Sequence, residues 1–226
     1  GNSSSAADTV KSFTLNLQND TRYVAVVNGV LPSSSGFNPK KALELSIKSM
    51  VRTSANDPTN TDILVHHGST DAPAVDVVEP KQRVGPIVSD LAYSKFTNYL
   101  PVPTQDYELE VRPNGSSNVV GRFDAPLSTL NLAGQAVTVF ASGFLDSASN
   151  NDGPSFGLYA VIQGGIVLQL PVIEEAEVQI IHNSADVMAD TVDVYVNGQN
   201  AIDDLEFRDA TEFLTLPANQ DISVSI

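Results

Sequence analysis

Short runs in which apolar and polar residues alternate dominate this chain, and a period of two predicts strands. Ile63-Leu64-Val65, Val75-Asp76-Val77-Val78, Tyr107-Glu108-Leu109-Glu110-Val111 and Val192-Asp193-Val194-Tyr195-Val196 are short, β-branched and mostly alternating. The same pattern marks Leu15-Asn16-Leu17 and residues 23–27, 137–141 and 222–226. Turn signals separate these runs: Asn28-Gly29, Asn114-Gly115, Asn197-Gly198, and Pro101 with Pro103. Residues 38–47 come nearest to a helical pattern, but Leu43, Leu45 and Ile47 alternate, which predicts a strand after a turn. The fold class expected is all-β.

The pattern repeats. Val65-His66-His67-Gly68-Ser69-Thr70-Asp71 matches Ile180-Ile181-His182-Asn183-Ser184-Ala185-Asp186, and Val75-Asp76-Val77 matches Val192-Asp193-Val194. Tyr99-Leu100-Pro101-Val102-Pro103 then matches Phe213-Leu214-Thr215-Leu216-Pro217. The second copy reaches only as far as the equivalent of Val111. Its remaining half is matched near the other end of the chain. Leu15-Asn16-Leu17 through Val26-Val27-Asn28-Gly29 resembles Leu130-Asn131-Leu132 through Phe140-Ala141-Ser142-Gly143, and Leu43, Leu45 and Ile47 align with Leu158, Ala160 and Ile162. Half a sandwich would leave an apolar face and strand edges unpaired. The expectation is therefore one continuous domain at 59–171 and a second, discontinuous and circularly permuted one from 8–58 plus 172–226. That second domain closes within one chain or is swapped between two, giving a monomer or a domain-swapped dimer. Linkers are expected at 52–61 and 171–176, and residues 1–7 read as a flexible leader.

Charge and composition narrow the partners. There are 226 residues, with 27 acidic against 12 basic side chains and a formal net charge of −15. That sign opposes phosphate backbones and anionic lipid, so no nucleic-acid partner is expected. Cysteine is absent, which removes disulfides, thiolate nucleophiles and cysteine metal sites. No apolar run is long enough for a transmembrane segment. The polar stretch Asn2-Ser3-Ser4-Ser5-Ala6-Ala7-Asp8 is of the kind that follows a cleaved export signal or a lipid-anchored cysteine. An exported, lipid-tethered protein of the cell envelope, periplasm or cell surface is the expectation.

The run Val65-His66-His67-Gly68-Ser69-Thr70-Asp71-Ala72-Pro73-Ala74-Val75-Asp76-Val77, followed by Tyr99-Leu100-Pro101-Val102-Pro103, resembles a bacterial domain-of-unknown-function family, number 4397. Its repeats open with a V-x-H-A-S-P-D-A-P-A-V-D-V type run and continue to a Y-L-x-V-P element. The second copy fits more loosely, with Val187-Met188-Ala189-Asp190-Thr191 in place of Ala-Pro-Ala. The resemblance implies tandem Ig-like β-sandwich domains in exported or cell-surface proteins associated with adhesion. It brings no catalytic residues to transfer.

His67, Ser69 and Asp71, with Asp76 beyond, recur as His182, Ser184, Asp186 and Asp193. One reading is a small polar site of imidazole, hydroxyl and carboxylate on one strand face. The other, preferred because the set recurs in both copies, is that these residues close a strand-to-turn corner through backbone hydrogen bonds. Zinc would need carboxylates to complete a set around His66, His67 or His182. Among oxygen-rich loops, Asp146, Asn150 and Asp152 are the calcium candidates, although the loop misses the EF-hand spacing and a solvated loop is preferred. Gly153-Pro154-Ser155-Phe156-Gly157 spells G-x-S-x-G, but a polar loop precedes it and a strand follows, against the strand–turn–helix setting a nucleophile elbow requires. Glu174-Glu175 and Asp203-Asp204 are neighbours expected to point to opposite faces of a strand and so not to act as acid–base pairs. Tyr99 is expected in the core, with Tyr93 and Phe96 unassigned.

No catalytic residue and no cofactor is assigned, calcium being the one candidate ion. The expected function is a non-enzymatic binding or adhesion module for a surface ligand, protein or glycan. A hydrolase of envelope or extracellular polymers using carboxylates with His67 or His182 is the rival, and a structural spacer is the third reading.

Overall fold

The computed structural model describes residues 9–31, 33–81, 85–218 and 221–226. The expected leader at 1–7 lies outside the described residues. The chain divides into two units, Gly1–Val172 and Ile173–Ile226. The regular structure is all-β apart from three-residue helical turns, and among the described residues no helix is long and apolar enough to cross a membrane.

The first unit contains a β-sandwich. One sheet has five strands: β3 (Asn60–His67), β6 (Leu100–Pro103), β9 (Ala136–Ser142), β10 (Gly157–Val161) and β11 (Val167–Gln169), in the order β11-β10-β9-β3-β6. The other has β4 (Val75–Val78), β5 (Pro86–Leu91), β7 (Asp106–Pro113) and β8 (Gly121–Pro126), in the order β5-β4-β7-β8. Their facing apolar positions make the core: Val75, Val111 and Phe123 from the second sheet meet Val139, Ala141 and Leu158 from the first. Most pairings are antiparallel, but β3 and β9 run parallel, with Asp62 opposite Ala136 through His67 opposite Ala141. A separate hairpin, β1 (Tyr23–Asn28) with β2 (Glu44–Ser49), belongs to the same unit.

The segments expected as linkers are bonded into this sandwich. Ala55 N–H donates to Gly134 O at 2.8 Å, Ser54 bridges Gln135, and Arg52 reaches the buried Asp62 carboxylate at 2.5 Å. At the other end Asp124 N–H donates to Pro171 O at 2.9 Å and Phe123 bridges Val172.

The second unit holds β12 (Glu175–Val178), β13 (Thr191–Val196), β14 (Gln199–Glu206), β15 (Leu214–Pro217) and β16 (Val224–Ser225), as a β12–β15 pair and a β14-β13-β16 sheet. Val196 and Gln199 pair across Asn197-Gly198, whose positive φ values of 49° and 77° give the two-residue turn that Asn-Gly predicts.

The repeat is visible bond by bond. Asn60 opposite Pro103 through Ile63 opposite Leu100 is reproduced by Glu175 opposite Pro217 through Val178 opposite Leu214. Thr97 Oγ1 accepts from Val65 N–H at 2.9 Å, and Thr211 Oγ1 accepts from Ile180 N–H at 3.1 Å. The β1–β2 hairpin reproduces β9–β10: Val30 bridges Ala42 as Phe144 bridges Ser155, both in parallel sense. Gly29 and Gly143 hold the same left-handed corner, with φ of 88° and 84°. These bridges correct the sequence alignment, since Leu45 rather than Leu43 takes the place of Leu158, and Ile47 that of Ala160. A second correction concerns Leu15-Asn16-Leu17, which is not a strand. Its counterpart Leu130-Asn131-Leu132 is a turn, in which Asn131 has φ 56° and delivers Leu132 into the core at 2% exposure.

The corner glycines give a test. A Cβ on Gly143 would lie 2.2 Å from Ser155 O, whereas one on Gly115, also at positive φ, meets nothing within 4 Å. Gly115→Ala is expected to cost about 1–2 kcal/mol, the left-handed penalty alone. Gly143→Ala adds a backbone clash and should cost distinctly more, as read from the midpoint of chemical denaturation at unchanged slope.

Candidate functional site

Strand β3 ends in two histidines, and alternation sends them to opposite faces; both are fully buried. His67 faces the sandwich interior, where its Nε2–H donates to Pro73 O at 2.8 Å and its ring meets Tyr93 edge-on at 6.1 Å. His182 repeats this, donating to Ala189 O at 2.7 Å and meeting Phe207 edge-on at 6.1 Å. A carbonyl partner fixes the tautomer with the proton on Nε2. In the second copy Ser184 N–H donates to the remaining His182 Nδ1 at 3.3 Å.

Ser69 and Asp71 lie on the loop that leaves β3. Parallel pairing with β9 brings them against the residues that follow Ser142. Gly68 N–H donates to Ala141 O at 2.9 Å, and Ser69 Oγ donates to Gly143 O at 2.7 Å. Asp71 accepts from Leu145 N–H and Asp146 N–H, both at 2.9 Å, and from Asn150 Nδ2 at 3.4 Å. Asn150 is completely buried, and its side-chain oxygen accepts from Asn38 N–H at 2.8 Å. Phe37 stacks on Phe144 with centroids 5.6 Å apart. The result is one knit end of the sandwich, made by residues 35–41, 68–73 and 143–155. Asp186, the counterpart of Asp71, instead accepts from Met188 N–H at 2.9 Å within its own loop.

Asp76 and Asp193 hold equivalent bends. Asp76 accepts from Asp90 N–H at 2.8 Å and Gly115 N–H at 3.1 Å, and Asp193 accepts from Asp204 N–H at 3.1 Å. Asp90 and Asp204 both have positive φ, 50° and 54°.

Of the calcium candidates, Asp146 accepts from Ser149 N–H at 3.0 Å, and its hydrogen bonds to Ser149 hold its carboxyl below the usual range. The Asn150 oxygen is engaged by Asn38, and Asp152 is exposed. The acidic groups that do converge among the described residues are Asp193, Asp203 and Asp204, with carboxylate oxygens within 4.8 Å of one another. This corrects the expectation that Asp203 and Asp204 point apart. The β13–β14 register shifts here and Asp204 is left-handed, so the pleat's alternation fails. Repulsion from Asp193 is the largest cause raising the Asp203 pKa. Ser155 of the G-x-S-x-G match is exposed and leads into β10, a strand rather than a helix.

His66, on the other face, contacts a residue that the pattern did not mark as functional. Its Nε2 lies 3.1 Å from the Asn28 amide nitrogen, which also donates to Ser46 Oγ at 2.9 Å; Ser46 in turn meets Ser94 Oγ at 2.6 Å. Lys48 Nζ donates to Thr97 O at 2.9 Å. These contacts hold the β1–β2 hairpin against β3 and residues 94–97. The Asn28-Gly29 pair announces only its turn, because the polar partner is remote in sequence. Phe96 packs on the His66 ring, centroids 4.2 Å apart, and Tyr93 lies under Lys41 Nζ at 3.8 Å. Tyr99 is half-buried beneath the Arg52 guanidinium, 4.3 Å from its ring centroid.

Burial holds His66 down at about 4 and pushes the Tyr93 hydroxyl up to about 12. For His66 the folded value lies below the ordinary 6.5. Above that pH both states are neutral. As pH falls from 6.5 toward 4, the unfolded chain takes up a proton that the fold refuses, so stability falls and then levels. The loss from this residue should be at most about 3 kcal/mol. His66→Gln should remove that share of the slope in a denaturation series across this range. Asp71→Ala is expected to raise hydrogen exchange at the Leu145 and Asp146 amides by about tenfold or more, the value of a charge-assisted bond, while leaving the β7 amides protected.

Comparison with known proteins finds no matching curated protein and no matching solved structure. A family model does match, over residues 61–152, from the start of β3 to the turn that carries Asn150. That stretch, which contains the His67–Ser69–Asp71 corner, is similar to the domain of unknown function family DUF4397.

Proposed function

We propose that this chain is a non-enzymatic binding or adhesion module, exported to the cell envelope or cell surface, whose recognition surface is the knit end of the sandwich. The observation that carries the reading is Asp71. One buried-side carboxylate gathers three donors of the 143–155 loop, and Asn150 extends the same network to residue 38. A loop ordered before contact loses less conformational entropy on binding, which is how rigid scaffolds present recognition surfaces. The chain's net charge of −15 favours basic or cation-bridged partners. The test is the labelled, multivalent protein applied to arrayed glycans and extracellular-matrix proteins, with calcium and with chelator. Saturable binding to one class that weakens at least tenfold in Asp71→Ala is expected. Binding unchanged by Asp71→Ala places recognition elsewhere, and silence across the array favours a spacer or a hydrolase.

The proposal includes a second sandwich, completed when residues 8–58 meet residues 172–226 within one chain or between two. It is supported by β1–β2 reproducing β9–β10 and by the second unit reproducing the pairing of β3 with β6. In the complete sandwich Val65 lies opposite Val139, whose counterparts are Ile180 and Ala25. With no native cysteine in the sequence, the double variant Ala25→Cys/Ile180→Cys should form a disulfide on mild oxidation, since paired strands approach within bridging distance. A cross-linked monomer indicates closure within the chain, a cross-linked dimer indicates exchange, and no cross-link sinks the pairing.

A further inference from the structure

A cavity of about 520 Å³ lies between the two sheets of the first unit, well within the size range of small-molecule sites. Sandwich interiors are normally packed to the density of organic crystals. Here Phe123 and Val111, at 2% and 1% exposure, are core residues that do not line the cavity. Toward β6 the inward residues Ile63, Val65, Leu100 and Leu109 remain partly accessible, and all four line the cavity. Leu127, Leu132 and Val137 form a second apolar cluster, separate from the main core, and they also line it. Small residues on the facing walls, Ala125 on β8 and Ala160 on β10, leave the space between.

The wall chemistry selects a ligand class. Apart from Tyr107, whose hydroxyl donates to Pro103 O at 2.8 Å, the lining contains no aromatic residue, so it offers little for ring stacking. It is aliphatic, with Gln105 and Glu79 as the other polar side chains and Glu79 buried at 4% exposure. A carboxylate in the wall of a chain of net charge −15 disfavours an anionic head group. At about 30 Å³ per heavy atom, the volume share of a water molecule, the cavity takes no more than about 17 such atoms.

We propose that the 59–171 sandwich binds, between its sheets, a single aliphatic chain of medium length bearing an uncharged polar head. This is a small-molecule site distinct from the loop end described above.

The test uses the full chain and displacement of an uncharged solvatochromic dye by straight-chain primary alcohols from hexanol to hexadecanol, with laurate as the anionic comparison. Affinity should rise roughly fourfold per added methylene. It should stop rising once the chain fills the volume, at or below about 17 heavy atoms. Laurate should bind at least tenfold more weakly than dodecanol. Ala160→Leu fills the cavity from one sheet and Ala125→Leu from the other; whichever remains folded by circular dichroism should lose dodecanol binding at least tenfold. Absence of saturable displacement by any alcohol overturns the proposal. So does affinity that climbs through the whole series and is unchanged in a folded cavity-filling variant, since that is partitioning onto the surface.

Discussion

The parallel pairing of β3 with β9 is the constraint on which the rest of the first unit depends. It joins segments separated by five intervening strands, so loop-closure entropy opposes it until the core forms around it. Once made, it brings the loop that leaves β3 beside the loop that leaves β9, and the Ser69–Gly143 and Asp71–Leu145 bonds follow directly. It also makes β3 an interior strand between β6 and β9. Asp62, His66 and His67 can be completely buried there because each finds a partner: Arg52, Asn28 and Pro73 O respectively.

The two copies show which of these bonds the fold itself requires. The histidine-to-carbonyl bond and the Asp76 or Asp193 bend recur because each is local to one half of the repeat. Asp71 and Asp186 diverge because the donors that Asp71 gathers come from a different half. A motif can thus be identical in sequence and serve a local corner in one copy and a long-range junction in the other. Conversely, Tyr93 and Phe207 share little chemistry beyond an aromatic ring, yet they present the same edge to the same histidine.

The sandwich is also uneven in its packing. Phe123 and Val111 stand clear of the cavity, while aliphatic side chains of β3, β6 and β7 and the alanines of β8 and β10 line it. Both sets satisfy the hydrophobic pattern equally well. Pattern specifies which residues turn inward, and side-chain volume summed across two sheets decides whether they meet.

Alternation, turn residues and a short motif determined the all-β class, most strand positions, the Asn197-Gly198 hairpin and the family resemblance over residues 61–152, because each is written in residues a few positions apart. What only the tertiary structure decided depends on register and curvature between distant segments. The left-handed Asn131 turned an apparent strand into a turn, and the shift at Asp204 put neighbouring carboxylates on one side of a strand. Asn28 gained its His66 contact from hairpin docking, and the cavity arose from the spacing of two sheets. No local pattern encodes such distances; they are set by the balance of packing across the whole unit.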